Sequence, residues 1–274
     1  MTTKQILGEK YIINGVSAEV SGYQAEMSAD IYYEVIRIIG RKFLFLDDHL
    51  ERLKSSIKNT GLVFPGNKTI CESLKALLSE NRYTEGNVKI CLRKISENEA
   101  ELLCFFTPWF YPDVSSYQSG VQLLSYSHER PNPGIKKWDD KFRNDVRQCI
   151  RDHGVYEALL LNKQGEISEG SRSNVFFIDA SNKIITPPEH SVLPGITRKY
   201  VIQICKDQGL KVEERVVSLK ELKKLSSCFI SGTSPKVLPV CRVDQHRFRA
   251  DRPTLRIIMK QFDFVLNANL KTID

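Results

Sequence analysis

A lone acid stands in a run of small residues, Glu169-Gly170-Ser171-Arg172-Ser173-Asn174, just after the turn signal Asn162-Lys163-Gln164-Gly165. Downstream follows Leu193-Pro194-Gly195-Ile196-Thr197-Arg198. The first run suits a hairpin that aims one carboxylate into a cleft while glycine lets backbone approach a ligand. The second puts Gly195 and Thr197 at the opening of a helix predicted over 197–208. There, unpaired N–H groups and the positive end of the helix dipole attract phosphate. Any fold of this chain has to deliver a strand, a tight turn and a helix start in that order, with the acid and the anion site both usable.

A carboxylate and a phosphate site are two needs of pyridoxal phosphate, and the third is a lysine. Lys136 stands upstream in Pro133-Gly134-Ile135-Lys136, ahead of a predicted helix. With these residues in view, the chain resembles the fold-type IV pyridoxal-phosphate enzymes: branched-chain aminotransferases, D-amino-acid aminotransferases and aminodeoxychorismate lyase. The likeness runs from Tyr33 to Val243. It comprises Tyr33-Glu34-Val35-Ile36-Arg37, Asp48-His49-Leu50-Glu51-Arg52-Leu53, Ile135-Lys136, Tyr156-Glu157-Ala158, the two runs above with Thr186-Pro187 between them, and Ser231-Gly232-Thr233 ahead of Pro239-Val240.

The resemblance implies an α/β (α+β) architecture in two domains, 1–112 and 113–274, with the cofactor between them. It implies that Lys136 forms the Schiff base, with Lys137 and Lys141 as competitors and a surface lysine as the plain alternative. Glu169 would hold the pyridine nitrogen, against the alternative of a surface hairpin acid. Arg52 would bind phosphate, or else be an exposed helix residue paired with Asp48. Ser173, Asn174, Ile196, Thr197, Thr233 and Ser234 would complete the cofactor site. Period two along the strand predicted over 32–38 puts Tyr33, Val35 and Arg37 on one face; the resemblance turns that face to substrate, where a half-exposed strand is the alternative. His49 reads as structural.

The implied activity is amino-group transfer between an amino acid and a 2-oxo acid, possibly of the branched-chain kind, by a homodimer. An aminodeoxychorismate lyase-like enzyme and a degenerate cofactor binder are the alternatives. The likeness lapses over 21–30, where relatives carry Asp-Arg-Gly and Gly-Asp-Gly, and at Asp139, where many have Asn. Leu92-Arg93-Lys94-Ile95 lacks the Arg-x-His trap of the D-amino-acid enzymes.

Composition agrees with a globular enzyme: 274 residues, 41% hydrophobic, enough for two modest cores. The net charge of +7 is interleaved with acids, as in Asp139-Asp140-Lys141-Phe142-Arg143, so a nucleic-acid partner is not expected. No apolar run is long enough for a membrane helix, and Met1-Thr2-Thr3-Lys4-Gln5 lacks a signal-peptide core, so a cytoplasmic protein without a membrane partner is expected. Seven scattered cysteines read as free thiols, and five scattered histidines offer no metal site.

Helices are predicted from an Asp47 cap to Gly61, around Ile70, Leu74 and Leu77, and from 142 to Gly154. Further helices are expected over 198–208, 219–225 and 253–270. Strands are predicted over 32–38, 42–46, 88–92, 101–106, 121–126, 157–161, 174–178, 183–186, 212–216 and 228–231, with a linker over 107–120.

Overall fold

In the computed structural model, residues 6–23 and 30–273 are described, and the chain divides into two units. One comprises Met1–Phe110, Ile135–Asp140 and Ala268–Asp274; the other comprises Tyr111–Gly134 and Lys141–Asn267. The expectations for 24–29 and for the N-terminal five residues lie outside the described residues.

The first unit holds β1 (Leu7–Ile13), β2 (Val16–Glu19), β3 (Ile31–Ile39), β4 (Lys42–Leu44), α1 (Leu46–Ile57), α2 (Asn67–Glu80), β5 (Gly86–Lys94), β6 (Ala100–Thr107) and a final strand Leu270–Lys271. Its sheet has the order final strand, β4, β3, β5, β6, β1, β2. Helix α1 forms because Leu46, Leu50, Leu53 and Ile57 fall on one face, and that face packs with Tyr32, Ile36 and Ile38 of β3 in a single core. Tyr33 belongs to the core on the opposite face of the sheet, with Val35 packed against it, as period two requires. The cap of α1 is Phe45, in a left-handed conformation at φ 54°, rather than Asp47. Asp47 and Asp48 occupy the first turn, where acids favour the helix dipole from inside the helix.

The second unit holds α3 (Val114–Ser119), β7 (Val121–Ser127), α4 (Asp140–His153, less its first residue), β8 (Glu157–Leu161), β9 (Glu166–Gly170), β10 (Asn174–Ile178), β11 (Ile184–Thr186), α5 (Ile196–Asp207), β12 (Val212–Glu214), β13 (Val217–Ser218), β14 (Ser227–Gly232), β15 (Lys236–Val243), β16 (His246–Arg247) and α6 (Pro253–Ala268). The sheet order is β12, β11, β10, β14, β15, β7, β8, β9, β13, with β16 beside β15. Pairing is parallel at β11–β12, β15–β7 and β7–β8.

Several elements go beyond the sequence reading. The stretch read as a linker contains α3, started by Asp113, whose carboxylate accepts the Ser116 N–H at 2.8 Å. Strands β1, β2 and β9 lie outside the strands predicted from sequence, as does β15, which keeps Pro239 paired opposite Phe229 despite its missing N–H. The region 219–225 is a 3-10 helix over Leu219–Lys224. All seven cysteines are free thiols. Among the described residues, no helix is long and apolar enough to cross a membrane.

Candidate active site

Lys136 is positioned by backbone pairing before its side chain is considered. Strand β4 pairs only with Ile38 and Ile39 of β3, so the early half of β3 keeps an edge. Residues 136–138 occupy it: Tyr33 N–H donates to Lys136 O at 3.1 Å, and Trp138 N–H donates to Ile31 O at 2.8 Å. The Lys136 ammonium lies 5.0 Å from the centre of the Tyr33 ring. The competing lysines are placed differently. Lys137 pairs with Asp30 at 2.8 Å, and Lys141 is exposed on the first turn of α4.

Behind this segment, Glu34 is fully buried between two residues of α1. Its carboxylate accepts Nε and Nη2 of Arg52 at 2.7 and 2.6 Å and faces His49 Nδ1 at 2.8 Å. Desolvation alone would raise the Glu34 pKa, but the Arg52 charge, its two hydrogen bonds and that of His49 outweigh it and hold the carboxyl far below the usual range. Burial pushes the His49 pKa down against the pull of Glu34, and the charges of Arg52 and Lys136 act in the same direction as burial. His49 is therefore a neutral imidazole donating to Glu34, in keeping with a structural role. Arg52 is not the exposed residue of the plainer alternative: it is a bidentate partner of a buried acid, whose charge raises its pKa against the lowering by burial.

Tyr33 is buried, while Val35 and Arg37 are half-buried on the same face. Three further neighbours in this unit differ in how far the sequence marks them. Glu34 had a signal, since period two places it on the apolar side with Tyr32, Ile36 and Ile38. Lys89 and Trp138 had none: only folding brings the Lys89 ammonium to 3.5 Å from the Trp138 ring centre and 4.6 Å from that of Tyr33.

In the second unit Glu169 lies on β9 and is only 3% exposed, which removes the surface-acid alternative. Its carboxylate accepts Arg130 Nη1 at 2.9 Å, Leu193 N–H at 3.0 Å and Asn174 Nδ2 at 3.4 Å. The same Asn174 amide donates to Leu193 O at 3.0 Å, so the acid, the start of β10 and the segment leading into α5 are tied together. Arg130 is a loop residue whose part here no local pattern announces. The turn between β9 and β10 closes through Gly170 N–H to Ser173 O at 2.8 Å. Asn174 pairs directly opposite Ser231 at the end of β14, and the Gly232 turn runs within contact distance of Arg172.

Helix α5 opens at Ile196 with Gly195 as a cap that supplies no side-chain hydrogen bond, which leaves the first-turn N–H groups, those of Ile196 and Thr197 among them, without side-chain capping. A Cβ on Gly195 would meet Asn174 Oδ1 at 1.9 Å, so only glycine lets this helix start come so close. The hydroxyls of Ser173 and Ser231, residues 7% and 1% exposed, have no hydrogen-bond partner. Buried polar atoms without a partner are uncommon in folded proteins, and a bound group is one explanation for them. A desolvated carboxylate, an uncapped helix start and two orphan hydroxyls fit the ring nitrogen, phosphate and polar substituents of pyridoxal phosphate. Thr233 and Ser234 lie half-buried on the adjoining turn.

Against known proteins, the family model described as amino-transferase class IV matches residues 32–243, and this chain belongs to that family. It is accordingly a pyridoxal-phosphate-dependent aminotransferase of mixed α/β fold. It is 29% identical over 252 residues to the D-alanine aminotransferase of Bacillus licheniformis, covering 87% of this chain and 86% of that protein. To the Thermotoga maritima protein named "Probable branched-chain-amino-acid aminotransferase" it is 30% identical over 262 residues, 92% of each. Among solved structures, the branched-chain amino acid aminotransferase from Thermobaculum terrenum in its PLP form matches at TM-score 0.80 and 23% identity, covering 97% of this chain and 96% of that one. That last likeness concerns the fold.

Proposed function

We propose that this aminotransferase moves an amino group between an amino acid of the branched-chain or small aliphatic kind and a 2-oxo acid, with Lys136 as the lysine that bonds the cofactor. The observation that carries the reading is the edge pairing of residues 136–138 with β3, which holds the Lys136 side chain beside Tyr33. When bound, pyridoxal phosphate supplies an aldehyde that bonds amino groups and a ring that withdraws electrons from the carbon losing its proton. The chain supplies the rest. Lys136 moves the proton at the substrate Cα. Glu169 keeps the ring nitrogen protonated. Arg52, the N–H groups of Ile196 and Thr197, and the hydroxyls of Thr233 and Ser234 hold phosphate. Ser173 and Asn174 line the cofactor. Tyr33, Val35 and Arg37 meet the substrate, with Arg37 on its α-carboxylate. Names of relatives support branched-chain amino acids and D-alanine as candidates, and the active protein is a cytoplasmic homodimer.

The test is chemical. Borohydride reduction of the purified, cofactor-loaded protein is expected to fix the cofactor on Lys136, read by peptide mapping. A label on Lys141, or no label, overturns the assignment. Turnover is then screened with L- and D-amino acids, 2-oxo acids and aminodeoxychorismate. Pyruvate release from the last compound without any transamination would make the enzyme a lyase instead.

A further inference from the structure

Helix α1 buries Leu46, His49, Leu50, Leu53, Ser56 and Ile57, and two of these, His49 and Ser56, are polar. A buried polar group costs stability unless it is hydrogen-bonded, so each needs an account. His49 has one in the Glu34 carboxylate, 2.8 Å from its Nδ1. Ser56, one turn beyond Arg52 and 3% exposed, has another: its Oγ accepts the Lys136 N–H at 3.4 Å. The spacing 49, 52, 56 puts His49, Arg52 and Ser56 on one face of the helix, so the face that supplies both partners of Glu34 also reaches the backbone of Lys136. That backbone is held by β3 as well, where Tyr33 N–H donates to Lys136 O at 3.1 Å and Trp138 N–H donates to Ile31 O at 2.8 Å. Lys136 is thus gripped at its N–H by a helix and at its C=O by a strand.

We infer that Ser56 is a positioning residue for the amino-group transfer: its hydroxyl fixes the Lys136 amide and, through the Cα, sets the line along which the Lys136 nitrogen reaches the cofactor. This rests on the reading of Lys136 as the lysine that bonds the cofactor. A lysine side chain is long and flexible, so precision at its nitrogen has to start from a fixed backbone, and a misplacement of about 1 Å in a reacting group can cost on the order of 10²-fold in rate. A hydrogen bond of this length is energetically weak. Its loss should therefore leave the fold in place and loosen the lysine, changing how fast the cofactor is captured and not how well it binds without a covalent bond.

The test separates capture from binding. Apoprotein is mixed with pyridoxal phosphate, samples are reduced with borohydride after set times, and the label on Lys136 is followed by peptide mapping. Affinity for pyridoxamine phosphate, which has no aldehyde to bond, is measured alongside by fluorescence titration. In capture the Lys136 amine adds to the aldehyde carbon and the aldehyde oxygen leaves as water, so the rate reports where that nitrogen stands. Ser56→Ala is expected to slow capture roughly ten-fold or more with pyridoxamine phosphate affinity unchanged, while Ser56→Thr, which keeps the hydroxyl, retains most of the parent rate. Capture by Ser56→Ala at the parent rate overturns the inference. So does an equal loss of capture and of pyridoxamine phosphate affinity, which would show a general packing role. If Ser56→Ala does not fold, Ser56→Cys, close in size but a weak acceptor, is judged by the same two criteria. A parent label on a lysine other than Lys136 would instead count against the reading of Lys136, whereas a Lys136 label that Ser56→Ala acquires as fast as the parent counts against Ser56 alone.

Discussion

Glu34 takes two hydrogen bonds from Arg52 and faces His49 in the interior of the first unit, so removing its charge takes a bidentate carboxylate away from a buried guanidinium. Breaking a buried pair from one side typically costs about 3–5 kcal/mol, far more than an exposed pair is worth. Glu34→Gln is therefore expected to lower the unfolding free energy by roughly that amount in urea titrations. A loss within the range of a surface substitution would show that Arg52 finds another partner. Glu169 belongs to the same scale but to the chemistry. Glu169→Gln, which removes the charge but keeps an oxygen able to accept the Leu193 and Asn174 N–H groups, should raise the barrier of the proton-transfer half-reaction by about 2–4 kcal/mol. Stopped-flow kinetics of a single half-reaction reads it, and an unchanged rate would remove Glu169 from the mechanism.

At the scale of elements, the start of α5 is set by a close approach and not by a capping side chain. Gly195 gives the chain a plain extended cap at φ −68°, but the space a methyl needs is held by the Asn174 amide. Gly195→Ala should displace that amide from Leu193 and Glu169, and overpacking of this kind costs about 1–3 kcal/mol. Weaker cofactor binding by apoprotein, followed by fluorescence titration, is the expected outcome, with far-ultraviolet circular dichroism unchanged. Equal affinity in the variant would mean that the helix start is not an anion site. Helix α1 shows the contrasting case of an element held by its apolar stripe. Leu50→Ala at its centre should cost about 2–5 kcal/mol of stability, through packing alone.

For the whole molecule, several buried groups give stability a definite pH window. The folded His49 pKa is depressed below its ordinary 6.5, so as pH falls through that value the unfolded chain gains a proton that the folded chain refuses, and stability declines. Glu34, depressed below its ordinary 4.5, adds a further loss as pH falls past that point and on through its folded value. On the alkaline side, burial pushes the thiols of Cys91 and Cys205 up to about 11 and about 12 from 9.0, and Tyr23 up to about 12 from 10.0. Those groups stabilise the fold fully below their unfolded values, and the contribution fades as pH rises from about 9. Thermal midpoints should therefore be highest near neutral to mildly alkaline pH and fall on both sides, steeply below about 6. A midpoint still rising as pH drops through the imidazole range would contradict the buried, neutral His49.

The apolar period of α1, α2 and α4, the alternation along β3, β5 and β6, and the glycines that close turns are local properties, so the sequence alone determines those elements and the order in which the candidate residues occur. Strand β1, with only two of its seven residues buried, and β15, with its proline, were illegible because neighbouring strands and not local propensity hold them in place. The same distinction applies to the site. Lys136, Glu169, Gly195 and Thr197 could be picked out in sequence because turn and helix-start chemistry is written in consecutive residues. That Glu34 ties Arg52 to His49, that Arg130 reaches Glu169, and that Lys89 stands beside Tyr33 and Trp138 was decided only by tertiary structure. Charge pairing and cation–π contact act over a few ångströms in space and leave no periodic trace along a chain.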